Sequence, residues 1–370
     1  MRPVLFPSRR AFATVNTAAI AHNFSLLSTT ARKVNPAART VAVVKANAYG
    51  HGVQAVVPAL CAVGCDFFAV ATLEEALTVR ALAPKADILI LGYTPPVQAP
   101  LLRQNHLTQT VFSLSYGKAL AERGPCRVHV KLDGGLCRLG LSVADKKDLH
   151  RLLQLQNLQP VGLFTHFPAA DTDQTATKAA LARFLSVAQG VARRKKLFLH
   201  AAASATLLTL PEAVLSGPRV GLALYGISPV KTNLALCPAL ELCAPVVQLR
   251  EVPAGTPVGY GGDFVTDRPS CIGTLPIGYA DGFDRRLTGL AVTLCHGQES
   301  FSVPVVGRIS MDQLTVDLTD TPAAVGDRVI LWRDPTAIAK QLGTIPYEVL
   351  TSISQRVLRV PVYLPPLSQF

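Results

Sequence analysis

Val41-Ala42-Val43-Val44-Lys45 and Val161-Gly162-Leu163-Phe164-Thr165-His166 set the pattern for the first part of the chain: a short apolar run that gives way to a polar, chemically competent side chain. Six more runs repeat the texture. They are Phe67-Phe68-Ala69-Val70, Ile88-Leu89-Ile90-Leu91, Thr110-Val111-Phe112, Val128-His129-Val130-Lys131-Leu132, Leu197-Phe198-Leu199 and Val220-Gly221-Leu222-Ala223-Leu224. Continuous apolar runs of this length read as strands buried on both faces, the habit of parallel sheets. Between them lie Ala/Leu-rich segments with helical spacing, such as 73–82 and 175–192, the second placing Ala180, Phe184, Val187 and Val191 on one stripe. Strand and helix alternating eight times within about 200 residues predict an α/β fold with a TIM-like (β/α)8 barrel. A doubly wound open sheet is the alternative, but no Gly-rich dinucleotide fingerprint follows the first strand.

Working outward, the grammar changes after about residue 236. Pro and Gly become frequent, and short β-rich runs appear at Val246-Val247-Gln248-Leu249, Ile272-Gly273-Thr274-Leu275 and Thr315-Val316-Asp317-Leu318. A late helix is expected near Tyr347. The chain of 370 residues therefore reads as two domains: a barrel over 1–235 and a β-rich domain over 236–370, with the first residues free to pair with the second.

Apolar residues at 49% and charged residues at 16% argue for a packed globular protein and against disorder. The net charge of +12 is scattered. Its densest runs, Arg193-Arg194-Lys195-Lys196 and Arg285-Arg286, are not interleaved with aromatics, so they read as solvated faces and not as a nucleic-acid footprint. Eight cysteines without metal-ligand spacing suit reduced thiols in a cytoplasm, with Cys61 and Cys65 expected to pack on one helix. No metal site and no membrane partner are expected. Ser8-Arg9-Arg10-Ala11-Phe12 has the start of a twin-arginine signal, but the residues after it are too polar for export.

A barrel enzyme carries its chemistry at the C-terminal ends of its strands. Lys45 ends the first run, Arg138 follows the fifth, His166 ends the sixth, Ser204 follows the seventh and Arg219 opens the eighth. Each alone has a bland explanation: a solvated lysine, a satisfied core histidine, a surface ion pair. Together they favour one rim. A partly buried lysine has a lowered pKa and can condense with an aldehyde cofactor. Pyridoxal 5'-phosphate (PLP) is such an aldehyde and needs a phosphate cradle, for which Ser204 offers a hydroxyl and Gly221 and Leu222 offer backbone N–H groups.

Val43-Val44-Lys45-Ala46-Asn47-Ala48-Tyr49-Gly50-His51-Gly52 resembles the PLP-attachment signature of alanine racemases. The same family pattern continues, in order, at 131–140, Thr165-His166-Phe167, 219–226, Val258-Gly259-Tyr260-Gly261, 276–282, 307–313 and Thr344-Ile345-Pro346-Tyr347-Glu348. The resemblance implies a barrel plus a β-rich domain in a homodimer with sites at the subunit interface. It implies that Lys45 carries PLP, that Tyr49, Ser204, Gly221, Leu222 and Tyr347 hold the phosphate, and that Arg219 meets the pyridine nitrogen with His166 beside it. Lys45 and Tyr260 would be the two bases, one for each face of the α-carbon. Arg138, Met311 and Asp312 would contact the substrate, Tyr279 would stand in the access channel, and Lys131 matches a lysine that relatives carbamylate. A tyrosine phenol ordinarily titrates near pKa ~10 and serves as a base only where cations favour its anion.

The chain departs from the family at Ala203, where Asn is usual, at Gly134 for Thr, Leu136 for Met and Ser310 for Cys. The expected function is interconversion of L- and D-alanine, supplying D-alanine for peptidoglycan. The alternatives are a broader racemase acting on serine or basic amino acids, a PLP decarboxylase, and a non-catalytic PLP carrier. Decarboxylases favour an acidic partner at the pyridine nitrogen, which Arg219 is not.

Overall fold

The structure, a computed structural model, describes residues 10–364. Ser8 and Arg9 of the twin-arginine segment lie outside the described residues. The chain forms two compact units. A barrel unit comprises residues 19–48 and 53–237; a sheet unit comprises 10–18, 49–52 and 238–364.

All eight runs are strands of one parallel sheet: Val41–Val43, Phe67–Val70, Asp87–Ile90, Thr108–Val111, Cys126–Lys131, Leu158–Phe164, Phe198–His200 and Arg219–Val220. They neighbour one another in chain order, and the eighth returns to the first. The Arg219 N–H donates to the Ala202 carbonyl at 2.9 Å, drawing the eighth strand against the end of the seventh. The result is a nearly closed TIM-like barrel. The eighth strand is shorter than its apolar run, because Leu222–Tyr225 turns into a 3-10 helix that ends on left-handed Gly226.

The helices follow their caps. Leu73–Leu82 starts where the Thr72 hydroxyl accepts the Glu75 N–H, with Glu74 and Glu75 in its first turn. Gln174–Lys195 starts where the Asp173 carboxylate accepts the Ala176 N–H. It ends on Arg193, Arg194 and Lys195, all solvent-exposed, before left-handed Lys196. Its buried stripe is Ala180, Phe184, Ala188 and Ala192, not Val187 and Val191, which lie at its edge. Small alanines at a four-residue spacing let the helix approach the barrel closely. Cys65 lies beyond its expected helix, which stops at Ala62.

The sheet unit holds a nine-stranded sheet. Its spatial order is Gln248–Val252, Ser270–Leu275, Leu314–Asp317, Glu299–Val306, Ala291–His296, Arg328–Trp332, Leu240–Pro245, Phe12–Asn16, Leu358–Val362. Only the last pair is parallel. Phe12 packs with Cys243 and Ile330 in its core. The expected strand at 246–249 splits, since Val246-Val247 is the link between two strands. Besides the late helix Pro346–Ser352, an unexpected one spans Pro335–Leu342, capped by Asp334 and closed by left-handed Gly343.

Candidate active site

In the barrel unit the chemical residues gather at the C-terminal ends of the strands. Lys45 follows the first strand and is half-buried. The four residues after it, Ala46, Asn47, Ala48 and Tyr49, all have φ between 52° and 55°, a left-handed helical turn without glycine. Left-handed turns cost L-residues roughly 1–2 kcal/mol each, so this one persists because its surroundings hold it. Glu75 is one such restraint: its carboxylate accepts the Ala46 N–H and the Ala71 N–H, both at 2.7 Å. Asn47 is another, accepting the Val53 N–H at 2.9 Å. Burial and the nearby Arg138 lower the Lys45 pKa, while Glu75 opposes them.

Lys131 ends the fifth strand, buried, and its pKa falls to about 8 through burial, Arg138 and Arg219. Arg138 itself is exposed in the loop beyond. Asp133 orders that loop by accepting the N–H groups of Gly135, Leu136 and Cys137. Gly134 has a local reason here: a Cβ would come within 2.6 Å of the His166 carbonyl oxygen. His166 follows the sixth strand, held at a pKa of about 3 by burial and the cations around it, Arg219 foremost.

Arg219 is 5% exposed and has no carboxylate partner among the described residues. Its guanidinium donates to the Thr165 and Ala201 carbonyls and to His200 Nδ1, and lies 3.4 Å from His166 Nδ1. Burial lowers its pKa only to about 10, so it stays cationic at neutral pH. The Ser204 hydroxyl accepts the Gly221 and Ala223 N–H groups at 3.1 and 3.4 Å, which sets it beside Gly221, one of the two expected backbone donors, and beside Ala223, which was not among them. Ala203 precedes Ser204 without a side-chain cap. The barrel unit thus assembles Lys45, Lys131, Arg138, His166, Ser204, Arg219, Gly221 and Leu222. A buried cation lacking an anion, a hydroxyl among backbone N–H groups and a lysine of lowered pKa fit an anionic aldehyde cofactor.

The remaining predicted residues belong to the sheet unit. Tyr49 and Tyr347 have ring centroids 5.9 Å apart. Tyr260 is 72% exposed on a turn whose neighbours Gly259 and Gly261 have φ near 76°. A Cβ on Gly259 would touch the Arg308 backbone, and the Arg308 guanidinium pairs with Asp263. The Tyr279 and Ala280 N–H groups donate to the Ser310 and Met311 carbonyls. Asp312 accepts from Arg356, which also pairs with Asp281. Tyr279 also lines a cavity of about 460 Å³ with Asp284, Arg285, Trp332 and Glu348.

Sequence reading missed Glu75, His129 and His200. The last two announce themselves only as lone histidines inside apolar runs, and Glu75 has no local signal.

The chain matches the alanine racemase N-terminal domain over residues 15–229 and the alanine racemase C-terminal domain over residues 239–361. It is 38% identical to alanine racemase 2 of Caldanaerobacter subterraneus subsp. tengcongensis over 94% of each chain. Among solved structures it is similar to the alanine racemase of E. faecalis, with a TM-score of 0.87 and 32% identity over 97% of this chain and 100% of that one. It is also similar to a histidine racemase from Leuconostoc mesenteroides, with a TM-score of 0.86 and 27% identity over 97% and 100%. Two matched domains, a full-length relative and the barrel-end chemistry agree: the chain belongs to the alanine racemase family.

Proposed function

We propose that the chain is an alanine racemase that uses PLP and interconverts L- and D-alanine with two bases, supplying D-alanine for peptidoglycan in the cytoplasm. The observation that carries the reading is Lys45, half-buried at the first strand's end with a lowered pKa, in a barrel whose buried Arg219 has no carboxylate partner among the described residues and so can donate to a neutral ring nitrogen. In this reading residues 1–235 are the PLP-binding domain, apart from the strand Phe12–Asn16, which pairs into the sheet of the other, and 236–370 are the domain that completes a neighbouring site.

PLP, when bound, withdraws electrons from the substrate's α-carbon and so acidifies its proton. Lys45 would hold the cofactor and then move a proton on one face. Tyr260, from a second copy of the chain, would move it on the other. Tyr260's exposure suits a residue that acts across an interface. Ser204, Gly221 and Leu222, with Tyr49 and Tyr347, would bind the phosphate. Arg219, a donor with its proton retained, would leave the ring nitrogen unprotonated and limit electron withdrawal, which favours reprotonation over side reactions. The same property weighs against a decarboxylase, and the two matched domains weigh against a bare carrier.

Arg138 would bind the substrate carboxylate, steadied by a carbamate on Lys131; Met311 and Asp312 would shape the pocket and Tyr279 its approach. Likeness to a histidine racemase supports a second reading, broader substrate range, decided around Tyr279, Ser310 and Met311. Turnover of L-alanine beside serine, lysine and histidine tests both: alanine alone supports the first, comparable rates support the second, and no turnover of any rejects both.

A further inference from the structure

His129 lies inside the fifth barrel strand, 2% exposed, on the same side of the strand as Lys131. Its Nδ1 is 2.8 Å from His200 Nε2, and His200 Nδ1 is 2.9 Å from Arg219 Nη1. A guanidinium can only donate. His200 Nδ1 must therefore accept, which places the His200 proton on Nε2. That proton is donated to His129 Nδ1, which places the His129 proton on Nε2 in turn. One donor thus sets the tautomers of two buried rings in series.

The rings are also held sterically. His200 stacks on Phe164 with centroids 4.6 Å apart and planes at 18°. His129 lies edge-on to Phe67 at 6.0 Å and beside Phe198 at 6.2 Å. Across the strand pair, His129 is in register with Gly162, where a Cβ would fall 2.4 Å from the imidazole ring. A histidine in an apolar run and a glycine inside a strand are each unfavourable alone. Together they make one built feature, in a place where phenylalanine would suit the aromatic surroundings better. Burial holds His129 at a pKa of about 3 and His200 well below the ordinary range, so both rings stay neutral.

We infer that His129 is a positioning residue for the cofactor's ring end: by accepting the His200 Nε2–H it holds the His200 ring in place, and through that ring the direction of the Arg219 guanidinium. The inference rests on the reading of Arg219 as partner of the pyridine nitrogen.

The test uses full-length chain labelled with 15N-histidine, read by ring-nitrogen NMR with and without PLP. The native chain should show single Nε2–H tautomers at both rings, PLP or not. His129→Phe keeps an aromatic ring and removes the acceptor. The His200 proton should stay on Nε2, held there by Arg219, but lose its hydrogen-bonded downfield shift, and kcat should fall about tenfold with KM little changed, the loss usual for a group that orients another from behind. His129→Asn, whose Oδ1 stands near the lost Nδ1, should restore both readouts. A native His200 protonated on Nδ1 overturns the inference without any variant, and so does an unchanged His200 spectrum in folded His129→Phe. A chain whose ring spectra are as expected but which binds no PLP instead overturns the function proposed above and, with it, the cofactor role of the relay.

Discussion

The carboxylate of Glu75 accepts the backbone N–H of Ala46, the residue after Lys45, at 2.7 Å, while the same carboxylate opposes the fall in the Lys45 pKa. One side chain therefore restrains the left-handed turn and moderates the amine that the turn presents. Glu75→Gln keeps an acceptor and removes the charge. The Lys45 pKa should then fall further, since burial and Arg138 act unopposed. The pH dependence of reductive methylation at Lys45 measures this, and its midpoint should move to lower pH. Loss of a charge-assisted bond should also cost about 1–2 kcal/mol of stability. An unmoved midpoint would show that Glu75 is only a backbone clamp.

Lys45 should be the sole point of cofactor attachment. Borohydride reduction of the PLP-loaded protein should leave a reduced pyridoxyl group on the peptide containing Lys45, and Lys45→Ala should lower racemase activity by about 10²–10⁴-fold or more, the size of a lost general base. Peptide mapping decides it; label on Lys131 in place of Lys45 would refute the assignment.

Leu73–Leu82 was legible to the residue because Thr72 caps it and acids fill its first turn. The strand-end residues were legible because a polar side chain closing an apolar run is locally anomalous. The left-handed turn was not: the alanines at 46 and 48 are good right-handed formers, and one of the two restraints on the turn is a carboxylate 29 positions on. The pairing of Phe12 with Cys243 and Leu358 is equally non-local, and strand partners leave no periodicity in either segment. The Arg219–His200–His129 relay is invisible for the same reason: three polar residues on three strands meet only once the barrel closes.

Lys131 should take up CO2. A pKa near 8 leaves a substantial neutral amine fraction at mildly alkaline pH, while an ordinary lysine has almost none. The neutral amine attacks CO2, releases one proton and becomes an anionic carbamate beside Arg138. The sign follows: carbamylation should rise with pH through about 8 and with bicarbonate. Mild-ionisation mass spectrometry should find one labile CO2 per chain, absent in Lys131→Ala, which should also raise the KM for alanine by loosening Arg138. A bicarbonate-independent spectrum and an unchanged KM would refute this.

Gly50 should be nearly irreplaceable for folding. Its φ of +79° is left-handed, and a Cβ there would fall 2.1 Å from the Leu350 carbonyl oxygen. The Arg359 guanidinium also donates to the Gly50 carbonyl at 2.8 Å, binding residues 49–52 to the sheet unit. Gly50→Ala should destabilise by about 2–4 kcal/mol through strain and overpacking. Gly64→Ala, also at positive φ but with no atom near its Cβ, is the control and should cost less. Equal losses in thermal melts would show that φ, and not the Leu350 contact, sets the cost.

Tyr260 separates mechanism from packing. At 72% exposure the ring buries little apolar area in its own chain, so Tyr260→Phe should change chain stability by no more than about 0.5 kcal/mol. Net racemisation should nevertheless slow equally in both directions, because L- and D-alanine have equal free energy in water. Proton exchange at the α-carbon distinguishes the faces. If Lys45 serves D-alanine and Tyr260 serves L-alanine, deuterium from solvent should still wash into D-alanine in Tyr260→Phe. Wash-in to L-alanine should fall about 100-fold or more, the usual scale of general-base catalysis. The base should also act across chains: Lys45→Ala and Tyr260→Phe subunits, each nearly inactive alone, should regain partial activity when re-dimerised together, since one of their two sites then holds both bases. A packing role for Tyr260 predicts the reverse on every count, with lowered stability, both wash-in rates reduced alike and no recovery on mixing. Equal loss of the two wash-in rates in a folded, PLP-loaded variant would remove Tyr260 from the mechanism.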